Sequence, residues 1–113
     1  MKTAQEILEL AITKQLYTAL INQLNKDFTR VGLEAGFEQN LNAEALIRNL
    51  TATIYELIVS DFESYLNVLY AIDVSEFKIK DLPVQQVHEL AIAVTQLIIE
   101  REFVKVSFKS KLE

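Results

Sequence analysis

Few side chains in this chain could act on a substrate, and their spacing limits what they could do. His88 is the only histidine. A di-iron bundle needs a glutamate three residues before a histidine, and Gln85 occupies that place. The zinc-protease pattern fails as well, because no second histidine follows His88-Glu89. A histidine-activated serine could use only His88, and no glycine-flanked serine elbow is present. His88 therefore reads as a structural side chain, solvated or hydrogen-bonded beside an apolar face. The absence of cysteine removes disulfides, thiol nucleophiles and thiolate metal sites. With only Gly32 and Gly36, neither a phosphate-cradling loop nor a dinucleotide fingerprint can be written. The carboxylate pairs Asp61/Glu63 and Glu100/Glu102 lie two apart, so they point to different faces of a helix and read as solvated surface. No catalytic residue, cofactor or metal is expected from these patterns.

The elements that would position any site are helical. Thr3 and Glu6 have the spacing of a capping box, and no glycine or proline follows before Asn25, which predicts a first helix over about 4–25. Its apolar residues fall on two lines: Leu8, Ile12, Leu16, Ala19 and Leu20 on one, Leu10, Tyr17, Ile21 and Leu24 on the other. The helical period stops over 26–41, where Gly32 and Gly36 sit among Phe28, Val31, Leu33 and Phe37. This is read as a long crossover pinned by those four apolar side chains, or else as a binding loop or small hairpin.

Asn42 is a good cap, with Leu41 and Leu46 as a hydrophobic staple, and the amphipathic stripe Leu46, Ile47, Leu50, Ile54, Leu57, Ile58 predicts a helix over about 43–59. A second capping box, Ser60 to Glu63, favours a break before a helix over 61–72, whose stripe is Phe62, Tyr65, Leu66, Leu69 and Ile72. One continuous helix over 43–72 is the alternative. After a connection holding one turn near Ser75, Asp81 and Pro83 have the look of a cap and first-turn proline for a long helix over about 82–108. Its main face gathers Val84, Val87, Leu90, Ala91, Val94, Leu97, Ile98 and Val104; a second line runs Ile92, Ile99, Phe103, Val106. Residues 104–109 also alternate like a strand, and a small β-hairpin between 28–33 and 104–108 is the competing reading.

Composition bounds the class. The chain has 113 residues, enough for one domain with a core of its own, and is 50% hydrophobic, more than one small helical domain is expected to bury. A net charge of −5 argues against nucleic acid and anionic membranes as partners. The longest uncharged run, Leu90 to Ile99, is about half of what a membrane span requires. The opening residues turn acidic at Glu6 without a signal-peptide core, and with no cysteine the expectation is a cytoplasmic protein. Tyr65 is expected in the core, Tyr17 and Tyr70 nearer the surface.

The run Leu69-Tyr70-Ala71-Ile72-Asp73-Val74-Ser75-Glu76 and the later Ile99-Glu100-Arg101-Glu102-Phe103 resemble short all-helical bacterial proteins of unassigned activity. The resemblance covers about the C-terminal half. It implies a helical fold and carries no activity, cofactor or site.

The sequence thus predicts an all-α, single-domain, four-helix bundle with a packed crossover. The functional expectation is a non-enzymatic protein that self-associates, a homodimer first, or binds a partner protein. The candidate interface is Ile92, Ile99, Phe103 and Val106 with Tyr17, Ile21 and Leu24. The alternative is a small-molecule binder or accessory subunit with a pocket under the crossover, lined by Phe28, Val31, Leu33 and Phe37.

Overall fold

A computed structural model describes residues 2–83 and 86–112. Among these there are six helices and no strand: α1 (Ala4–Thr13), α2 (Tyr17–Arg30), α3 (Ala43–Ser60), α4 (Phe62–Ile72), α5 (Glu76–Lys80) and α6 (Val87–Leu112). The predicted strand pairing of 28–33 with 104–108 does not form, because Phe28 belongs to α2 and 104–108 lie inside α6. No described helix is long and apolar enough to cross a membrane.

α6 is the axle. Its 26 residues span about 39 Å at the helical rise, matching the 38 Å longest dimension. It packs against α1, α2, α3 and α4, most extensively against α3. Its buried residues, including Ala91, Val94, Ile98, Ile99 and Val106, form one broad face, while Ile92, Val104, Phe108 and Leu112 are left exposed. A buried face this broad is one packed by several neighbours. The cover comes from its own chain.

The expected helix over 4–25 is two helices. The capping box forms as predicted: Thr3 Oγ1 accepts from the Glu6 amide at 3.1 Å, and Glu6 Oε1 accepts from the Thr3 amide at 2.9 Å. The break comes at Gln15, which takes a left-handed φ of 60°. The amides of Gln15 and Leu16 donate back to Ile12 and Ala11 at 3.0 and 2.7 Å. This is a Schellman ending. α2 stops the same way, with Gly32 left-handed and the Leu33 amide on the Phe28 carbonyl at 3.0 Å; α4 repeats it with Asp73 left-handed and the Val74 amide on Leu69 at 3.0 Å. In each case the residue after the left-handed one is apolar (Leu16, Leu33, Val74) and packs inward. Only the glycine among the three carries the usual sequence mark.

The predicted break near residue 60 is real, but Asp61 rather than Ser60 makes it. Its backbone sits at φ −154°, ψ 73°, outside the helix, and its Oδ1 accepts from the Ser64 amide at 3.2 Å. Asp61 bonds Leu57 behind and Tyr65 ahead, so the ladder bends rather than stops. Asp81 does not head the last helix; it closes α5, and α6 begins at Val87. Val84, assigned to the main face of that helix, lies outside the described residues, as does Gln85.

The crossover is packed. α2 runs to Arg30, so the irregular stretch is 31–42. Asn25 clamps it, its side-chain amide donating to the Phe37 carbonyl at 2.8 Å and its oxygen accepting from the Phe37 amide at 2.9 Å. Gln39 donates to Asn22 at 2.6 Å, and the Tyr17 hydroxyl donates to the Leu41 carbonyl. The Phe37 ring meets Phe28 edge-on, centroids 5.8 Å apart.

Candidate functional site

Among the described residues, two of the places that invert the usual order of charge outside and hydrocarbon inside lie around α4. The first is where α2, α6 and the end of α4 meet. Asp27 follows Leu20 and Leu24 at steps of seven and three, so it shares their inward face, and it is fully buried. Glu102 lies four residues after Ile98 and four before Val106, and is fully buried too. Lys105 reaches between them. Its Nζ is 2.5 Å from Asp27 Oδ2, 2.9 Å from Glu102 Oε1 and 3.2 Å from the Ile72 carbonyl at the end of α4. Gln23, one turn before Asp27, donates to Asp27 Oδ1 at 3.0 Å and accepts from Lys109 Nζ at 2.7 Å. Arg30 stands 3.8 Å from Asp27 with its own side chain mostly exposed. Just outside, Arg101 pairs with Asp73 at 3.0 Å, an exposed ion pair of small energetic weight.

The ammonium directs its hydrogen bonds at Asp27 and Ile72, so neither oxygen of Glu102 receives a well-aligned one. Burial pushes the Glu102 carboxyl up to about 8; a hydrogen bond to Asp27 and the charge of Asp27 act the same way, while Lys105 pulls against them. A protonated Glu102 can donate to Asp27. The expectation that Glu100/Glu102 is solvated surface fails at Glu102. The readable signal was an acid at four-residue spacing from apolar residues on both sides.

The second place is the outer face of α4. Phe62, Leu66 and Tyr70 recur at steps of four and are 53%, 49% and 89% exposed. The expected stripe put Phe62 and Leu66 with Tyr65, Leu69 and Ile72; the helix buries the last three and turns the first two out. Glu63 is the only charged residue of α4. Tyr65 points inward, as expected, with its hydroxyl buried and unpartnered, and burial raises its pKa.

The predicted interface residues are dispersed. Ile99, Val106, Ile21 and Leu24 are buried in the chain's own core, Phe103 and Tyr17 are half-buried against it, and Ile92 is 51% exposed. The break at Gln15 rotates the two lines predicted for the first helix, leaving Ile12 and Ala19 exposed. Of the predicted pocket residues, Phe28 is sealed into the core and Val31 and Leu33 pack against it. Only Phe37 borders the shallow groove of about 510 Å³ between the crossover and Asn49, Ala52 and Thr53 of α3. Among the described residues no group of three or more acidic or histidine ligands converges. No known protein family, curated protein or solved structure matches this chain, so any functional reading rests on geometry.

Proposed function

We propose that this chain is a non-enzymatic helical protein that works by association, with a second copy of itself as the occupant of the outer face of α4. The observation that carries this is the row Phe62, Leu66, Tyr70, left open although the core beneath is complete. A row this apolar on a solvated helix is the informative kind of exposure. Charge permits a second copy in that place. The chain as a whole carries −5, yet α4 contributes only Glu63, so two such faces can meet without strong like-charge repulsion. Phe and Tyr are suited to such contacts because they bury much area at little cost in side-chain entropy. α4 has 11 residues and is only about 16 Å long, so its face alone falls short of a standard stable interface and the expected affinity is in the range of tens of micromolar.

Sedimentation velocity over about 5 to 500 μM brackets that range. The expected result is a concentration-dependent dimer that the double variant Leu66→Ser/Tyr70→Ser abolishes, while unfolding free energy changes by no more than about 1 kcal/mol, the sum for two surface substitutions. A wild-type chain that stays monomeric throughout, or a variant that dimerises equally well, overturns the reading.

A further inference from the structure

We infer that the junction of α2, α4 and α6 is a proton-operated latch, in which Asp27 and Glu102 hold one proton between them beneath the Lys105 ammonium, and loss of that proton loosens the C-terminal half of α6 from α2 and from the end of α4.

The inference starts from a charge count. Two wholly buried carboxyl groups face one ammonium within 2.9 Å of each. With both ionised, the site carries an uncompensated negative charge away from water, which is strongly unfavourable. With one proton retained it is neutral, and that proton supplies the hydrogen bond the geometry otherwise lacks. Two carboxyls in contact share a proton for the same reason wherever they are packed together. The other groups facing the site do not alter the count. From α2 come Gln23, which is neutral, and Arg30, whose guanidinium is largely solvated at 3.8 Å. From the end of α4 come the Ile72 carbonyl and Asp73, the latter already paired with Arg101 on the outside. From α6 comes Lys109, engaged by Gln23. The charged side chains of α1, α3 and α5 are all exposed.

The latch matters mechanically because Lys105 is tied at once to α2 through Asp27 and to α4 through the Ile72 carbonyl. Ionised Glu102 would compete for that ammonium and favour solvation of its own carboxylate, pulling this part of α6 outward.

The sign follows from linkage. The carboxyl binds its proton more tightly folded, up to about 8 against 4.5 unfolded. Between those values the folded chain holds a proton the unfolded chain has released, so stability from this group is fully present below pH 4.5 and is lost as pH rises toward 8.

The test is urea unfolding of the full chain between about pH 5 and 8, with Glu102→Gln beside wild type. Glutamine has the shape of the protonated acid, can donate to Asp27, and does not titrate. The wild-type unfolding constant is expected to grow by up to about tenfold per pH unit, and Glu102→Gln to remove that slope. A flat wild-type profile, or an equal slope in Glu102→Gln, overturns the latch. Should that variant fail to fold, ¹³C NMR titration of the Glu102 carboxyl in wild type decides. A midpoint near 8, accompanied by lower amide protection over 98–109 above it once the intrinsic base-catalysed exchange rate is divided out, supports the inference. A midpoint at the ordinary glutamate value, or amide protection that does not change, overturns it.

Discussion

The α4 helix has two sides that reverse the expected placement of charge and hydrocarbon. Where its last carbonyl meets Lys105, two acids and a lysine are packed away from water; on its outer face, two aromatic rings and a leucine are left in it. The core between is ordinary, with Tyr65, Val68, Leu69 and Ile72 closing on α2 and α6. The difference teaches where specificity and association come from. The buried charges contribute little net stability over an apolar filling, because desolvation offsets their attraction, yet they define which residues of α2 and α6 must face one another. The outer row is left largely in water although Phe62 leans on the Tyr65 ring, so its apolar character points to a use beyond folding.

The sharpest way to break this contrast is Lys105→Met. It leaves buried acid without its counter-charge and should destabilise the chain by about 3–5 kcal/mol, read from the urea midpoint. Adding Asp27→Asn in the same chain should restore much of that loss, since no buried charge then lacks a partner. A single Lys105→Met variant as stable as wild type would show that the junction is solvated and the contrast false.

A smaller effect sharpens the inner side of α4. Tyr65 keeps an unpartnered hydroxyl in the core, so Tyr65→Phe should stabilise by about 1 kcal/mol, visible as a raised unfolding midpoint. A destabilised variant would mean that the hydroxyl has a partner.

The smallest effect concerns pH on the acid side, where the sign is opposite to that of Glu102. Hydrogen bonds from the Ser64 hydroxyl and amide hold Asp61 below the ordinary aspartate range, and those from the amide and hydroxyl of Thr3 do the same for Glu6. A depressed carboxyl contributes stability above its unfolded value, and that contribution disappears as pH falls through the folded value. Asp61→Asn, which keeps the cap but cannot titrate, should therefore make the acid limb of a melting-temperature profile shallower, with the share of Glu6 remaining, and leave the limb from pH 4.5 to 8 unchanged.

Much of the fold was legible because helix signals are local. The Thr3/Glu6 box, the Asn42 cap and the stripe over 43–59 each depend on residues within a turn or two, and each forms. The break at Gln15 was not legible. A left-handed glutamine is disfavoured in isolation and is held only because Leu16, just beyond it, packs into the core. The strand-like alternation at 104–109 was a false signal, overridden by burial of Val106 on a helix that nothing interrupts. The buried junction was half legible: the inward faces of Asp27 and Glu102 can be read from their apolar neighbours, but their meeting cannot.

By itself, the sequence determined that this chain is helical, where most of its helices begin, that α6 carries a broad apolar face and a second apolar line, and that no familiar catalytic or metal-binding pattern is written in it. Tertiary structure alone decided that Ile99 and Val106 of the second line of α6 are buried by its own chain, that Lys105 lies across 78 residues from the acid it pairs with, and that Phe62, Leu66 and Tyr70 face water. The physical reason is range. Periodicity and caps are set by neighbours in sequence, whereas burial and charge pairing are set by whichever surfaces the packed helices bring together.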